Sequence, residues 1–222
     1  GNFGLAGCFS TQTYKHLNSG EGGLITSNDP EFMARVIILS GSYMLYERHG
    51  AAPEKEVFSD IRLKTPNYSG RMDNLRAAIL RPQLKSLEEN IKRWNERYQL
   101  VEKNLQKVKG VELPERPYKE SYVGSSIQFR LPGISKVDAT KFLEMNKERG
   151  VEIKWFGSDS PNGFTSNHTS WKYVKQQSLE ASDEILSGLF DLRLPLTFSL
   201  DDCRLLANII GECTQSFVSK TR

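Results

Sequence analysis

Between residues 87 and 105, Leu87, Ile91, Trp94, Tyr98, Val101 and Leu105 recur at spacings of four and three. That period places them on one stripe of a long amphipathic helix, which must bury the stripe against another element. A chain built around such a helix needs a core on at least one side of it. At 222 residues the sequence is long enough to supply one, as a large domain or two small ones.

Local signals fill in the rest. "GCFS" and "GGLITS" read as short strands, and Asn28-Asp29-Pro30 caps a helix over about 31–39. The stretch 40–60 shows no sustained period and reads as loops and short turns. In "RMDNLRAAIL", Met72, Leu75 and Ile79 share a helical face, and Pro82 predicts a kink or a new helix start. Gly, Pro and charge cluster in "KGVELPERPYKES", which places a domain boundary near Gly110. Beyond it, Ile127/Phe129/Leu131, Val151/Ile153/Trp155 and Phe190/Leu192/Leu194 alternate as half-buried strands. Ser135 with Asp138, and Ser199 with Asp202, read as capping signals for two further helices, the first closed by Gly150. The expectation is residues 1–109 with the long helix, then a small α+β domain over 110–222.

Composition narrows the function classes. With 38% hydrophobic and 26% charged residues the chain is an ordinary globular sequence, and no apolar run reaches membrane-spanning length. Cys8, Cys203 and Cys213 form no CxxC pair, which fits a reducing compartment, and the expected location is the cytoplasm. Three scattered histidines offer no zinc-cluster spacing. A net charge of +3 carries no sign of nucleic-acid binding, which needs a concentrated basic face.

One stretch remains unexplained by folding. In "FSTQTYKHLNSGEGG", Lys15 sits among turn formers, five residues after Ser10 at the end of a predicted strand. A lysine buried beside a polar pocket loses its charge and becomes a nucleophile toward carbonyls and pyridoxal phosphate, and a hydroxyl near it can hold the phosphate. Spacing alone does not separate this from a solvated loop lysine. Gln12 either lines such a pocket or turns the loop, and His16 reads as a packing residue.

Three blocks decide between these readings. "FSTQTYKHLNSGEGGLITSND", "NYSGRMDNLRAAILRPQLKSLEENIKRWNERY" and "FDLRLPLTFSLDDCRLLANII" stand in the order found in the DegT/DnrJ/StrS family of pyridoxal-phosphate-dependent sugar aminotransferases, which the chain resembles. The resemblance implies an α/β chain corresponding to the C-terminal part of a fold-type-I transferase: a remnant of the large-domain sheet, the long helix and a small α+β domain. It implies that Lys15 forms the Schiff base with pyridoxal phosphate, with Ser10 on the phosphate and Gln12 lining the pocket. A family asparagine reaches the phosphate of the neighbouring subunit, so a homodimer sharing its active sites is expected. The family position of that asparagine is Ser69 here; Asn67 takes the role if the loop bulges, and Ser69 if it does not. Family members with histidine in place of the lysine are dehydratases, so Lys15 implies aminotransfer, from glutamate or glutamine to a keto-sugar nucleotide. The opposing expectation is a non-catalytic dimerisation or binding module that keeps the fold without the cofactor.

Other features carry less. Arg48 and His49 read as exposed loop charge, and Asn167 in "NHT" as a chance glycosylation triplet. Trp94 and Tyr98 belong to the helix stripe, and Trp155 and Phe156 to a strand.

Overall fold

A computed structural model describes residues 3–42, 45–117, 119–163, 165 and 167–218. Its contacts divide the chain into two compact units, Gly1–Glu88 and Glu89–Arg222.

The first unit opens with an antiparallel hairpin of β1 (Gly7–Ser10) and β2 (Gly23–Thr26), paired from Gly7 with Thr26 to Ser10 with Gly23. Helix α1 (Pro30–Ser40) starts where expected, because the Asp29 carboxylate accepts the Phe32 N–H and Pro30 fits the first turn. Helix α2 (Phe58–Lys64) packs across it. Their shared core is Ala34, Ile37, Ile38, Tyr46, Phe58 and Ile61, with the Tyr46 and Phe58 rings stacked at 4.2 Å. Helix α3 (Asn74–Lys85) is capped by Asp73. It runs through Pro82 and ends at Ser86, so the proline neither starts the next helix nor marks the break. The Met72/Leu75/Ile79 face is open: Leu75 is 73% and Ile79 44% exposed, while Leu80 is buried. Periodicity located an apolar face, of which Met72 meets Gly22 while Leu75 and Ile79 stand exposed.

The second unit is built on α4 (Leu87–Leu105), whose Tyr98, Val101 and Leu105 are fully buried. The contact division, at Glu88/Glu89, falls in the first turn of this helix, so nearly all of it counts with the second unit. Strands β3 (Ser126–Arg130), β4 (Lys154–Trp155) and β5 (Leu189–Arg193) form an antiparallel sheet in the order β3-β5-β4. Ile127, Phe129, Phe190 and Leu192 point from it into a core shared with α5 (Lys136–Glu148) and α7 (Leu200–Val218). Both capping signals are realised. Ser135 Oγ accepts the Asp138 N–H at 3.1 Å, and Ser199 and Asp202 cap each other reciprocally. A short helix α6 (Glu180–Ser187) precedes β5. Among the described residues, no helix is long and apolar enough to cross a membrane.

Candidate active site

The residues singled out around Lys15 all lie in the loop joining β1 to β2. Its neck is closed by backbone bonds, from Thr11 N to Gly22 O (2.9 Å), Thr13 N to Gly20 O (2.8 Å) and Ser19 N to Thr11 O (2.8 Å). Thr11 and Ser19 are buried there, and their hydroxyls share a hydrogen bond of 3.0 Å. Buried hydroxyls that satisfy each other fix the neck without exposing it to water. From this base the chain projects Gln12 to Leu17 outward.

The structure brings Ser10, Gln12 and Lys15 together. Ser10 Oγ accepts the Gln12 N–H at 3.3 Å, and Gln12 O accepts the Lys15 N–H at 2.9 Å. Gln12 Oε1 is taken by the Tyr14 N–H at 3.0 Å, so Gln12 shapes the loop and still presents its amide N–H groups. Lys15 itself is exposed. The burial that would make its amine a strong nucleophile is therefore not supplied by the described residues. His16 is exposed too, against its reading as a packing residue. Arg48 and His49 are exposed, as expected.

Asn67 and Ser69 lie on a second loop. Asn67 Oδ1 accepts the Ser69 N–H at 2.7 Å, and Ser69 is held at φ +52°. That left-handed residue turns the backbone between Asn67 and Arg71. The loop is fastened to the end of α1, where Leu39 O accepts the Tyr68 N–H (2.9 Å) and Gly41 O accepts from the Arg71 guanidinium (3.2 Å). Carbonyls at a helix C-terminus have no partner within the helix, which makes them ready acceptors for this purpose. The Arg76 backbone N–H and guanidinium hold the Asp73 carboxyl below the usual range, as expected for a carboxylate capping α3.

The two loops meet at Gly22. It has φ +139°, and a Cβ there would stand 2.8 Å from Met72 Cε and 2.9 Å from Thr11 Oγ1. Only glycine combines that backbone with that approach. A cavity of about 210 Å³ lies along this seam, with Glu21 and Gly22 on one side and Gly70, Arg71 and Met72 on the other. A second tie runs from Gln83 of α3 to the backbone of Asn18. Sequence reasoning missed both Gln83 and the Thr11–Ser19 pair; the paired hydroxyls at the two ends of the loop were the available signal.

The donor set suits a phosphorylated carbonyl compound. Among the described residues, Ser10 receives a hydrogen bond on its oxygen and keeps its O–H to give, Gln12 keeps its amide donors, and Lys15 brings a primary amine. Among the described residues, no group of His, Cys, Asp and Glu is arranged to hold a metal ion.

Comparison with known proteins agrees with this architecture. The aminotransferase TlmJ from Streptoalloteichus hindustanus superposes with a TM-score of 0.74 at 18% identity, over 96% of this chain and 53% of its own. DesI, solved in the presence of its TDP-sugar product, gives 0.71 at 19% identity, over 96% and 50%. A GDP-4-keto-6-deoxymannose-3-dehydratase with a trapped PLP-glutamate geminal diamine gives 0.72 at 18%, over 95% and 55%. At these identities the likeness is one of fold, and the chain spans about half the length of these relatives. No curated protein sequence matches it. With its sequence also matching the family over residues 1–210, the chain belongs to the DegT/DnrJ/EryC1/StrS aminotransferase family.

Proposed function

We propose that this chain is part of a pyridoxal-phosphate-dependent aminotransferase that uses Lys15 and moves an amino group from glutamate or glutamine to a keto-sugar nucleotide in the cytoplasm. The observation that carries the reading is the β1–β2 loop, which sets Ser10, Gln12 and Lys15 on one hydrogen-bonded turn with donors to spare. When bound, pyridoxal phosphate supplies the electron sink that makes a carbon-bound proton removable. Lys15 Nζ is the amine that would hold it, and the base and acid that moves that proton. Ser10 Oγ and Gln12 Nε2 would hold the phosphate.

Of the two candidates for the partner subunit's phosphate in a homodimer, Asn67 fits better. Ser69 holds a left-handed turn whose N–H engages Asn67 Oδ1, which leaves the Asn67 Nδ2 donors for the anion. The whole enzyme would use residues 1–109 as part of the cofactor domain and 110–222 as the small domain. The acceptor class follows DesI, whose product is a TDP-sugar, and lysine at the position where dehydratases carry histidine favours amino transfer.

The test is direct. Adding pyridoxal phosphate and reducing with borohydride should give a stable adduct on Lys15 by peptide mass, with an absorbance band that Lys15→Ala abolishes. Adduct spread over other lysines, or none at millimolar cofactor, overturns the assignment. A non-catalytic dimerisation module stands second, on the exposure of Lys15 and of Phe9, Leu24 and Ile25 on the hairpin. Dimerisation by sedimentation with no cofactor adduct would favour it.

A further inference from the structure

Gln83 shows no chemistry in the sequence, yet its side-chain amide is engaged at both ends. Oε1 accepts the Asn18 N–H at 2.9 Å, and Nε2 donates to Asn18 O at 2.7 Å and to Ile79 O at 3.0 Å. Turned over, the amide would set its oxygen against two carbonyl oxygens, so one orientation alone satisfies all three contacts. Asn18 thereby receives from a side chain the paired donor and acceptor that a neighbouring strand would otherwise provide.

The placement of this clamp gives it a consequence for Lys15. The Thr11–Ser19 neck holds the base of the loop, and the Gln83 contact holds its returning arm at Asn18. Lys15 lies between the two along the chain, and its side chain is exposed. We propose that Gln83 is a positioning residue, which acts through the Asn18 peptide to fix where Lys15 Nζ stands relative to Ser10. This rests on the reading of Lys15 as the cofactor lysine.

Two variants of the full chain test it. Gln83→Glu keeps the shape, but at neutral pH it only accepts, and so it turns an oxygen toward Asn18 O and Ile79 O. Protonation at lower pH returns one donor. Gln83→Met keeps the volume and loses every bond. In both, hydrogen exchange at Asn18 and its neighbours should rise roughly tenfold, and borohydride trapping of pyridoxal phosphate at Lys15 should slow roughly tenfold, as expected for losing hydrogen bonds of ordinary strength. Protection of α1 and α2 should stay unchanged. The deficit of Gln83→Glu relative to wild type should shrink between pH 7.5 and about 5, while that of Gln83→Met should not; a merely structural role raises exchange at Asn18 and leaves the rate of trapping at Lys15 unchanged, which overturns the inference. Trapping in the wild type with wild-type behaviour in both variants overturns this inference alone. No trapping on Lys15 in the wild type overturns the cofactor reading and the role given to Gln83 with it.

Discussion

Replacing Gly22 by alanine tests whether the seam between the two motif blocks is what fixes the loop. At φ +139° an alanine occupies a backbone region that is essentially glycine's own, at a cost of about 1–3 kcal/mol. Its Cβ would also fall 2.8 Å from Met72 Cε and 2.9 Å from Thr11 Oγ1. The methionine end is flexible and yields cheaply. Thr11 is 1% exposed and bonded to Ser19, so displacing it forfeits a buried hydrogen bond of about 0.5–1.5 kcal/mol. The expected loss is therefore about 2–4 kcal/mol, most of it from the backbone. With two compact units, a single global unfolding curve is not interpretable. Trp94, Trp155 and Trp171 all lie in the second unit, so their fluorescence in urea serves as an internal control. Hydrogen exchange of peptides from residues 3–42 at rising urea reads the first unit. Gly22→Ala should lower protection there and leave the tryptophan transition in place. Gly70→Ala, with open space around its Cβ, should be close to neutral. Adding Met72→Ala should restore only a few tenths of a kcal/mol, because the backbone term dominates. A Gly22→Ala protein within about 0.5 kcal/mol of wild type, or full rescue by Met72→Ala, would refute this account.

Three further outcomes follow from the packing. Burial raises the Asp191 carboxyl above the usual range, against the pull of Arg193 and Lys154. A raised acid holds its proton more readily when folded, so wild-type stability falls as pH rises from the unfolded value through the folded one. Asp191→Asn should then be more stable than wild type at pH 7, with the gain vanishing at or below pH 3.8; a pH-independent difference in the tryptophan-monitored urea midpoint would sink this. Gly124→Ala forces a methyl onto the fully buried Tyr98 and should cost about 1–3 kcal/mol in that same transition. Asp29→Ala removes the α1 cap and should cost about 1 kcal/mol, seen as faster exchange over residues 30–40 with the tryptophan transition unmoved.

What the sequence revealed depended on the range of the interaction that fixed each feature. Helices α1, α5 and α7 carry their start signals within a few residues, in Asp29, Ser135 and the Ser199–Asp202 pair, and each was legible. Helices α2 and α6 have no side-chain cap bond and are short, so neither left a local mark. The Val151/Ile153/Trp155 alternation is shared with a ladder of only two residue pairs, because β4 meets β5 at Lys154 and Trp155 alone. Periodicity found the face of α3 that carries Leu75 and Ile79, but a pattern says which side is apolar, not what covers it.

The site follows the same rule with one addition. Exposure of Lys15 was invisible to spacing, and the Gln83–Asn18 clamp joins residues 65 positions apart, so no window of sequence contains it. Yet the resemblance that raised Lys15 above a solvated loop lysine rested on blocks standing in order, and two of those blocks are in contact. Gly22 of the first meets Met72 of the second, and Asn18 of the first meets Gln83 of the second. The residues that make the blocks recognisable are thus the ones that fit them together. A glycine turn without an Arg-Met pair to receive it, or a Gln-Leu pair without the loop it clamps, would have no geometric reason to persist in one chain. That interdependence explains physically why the two blocks are more telling together than either is alone.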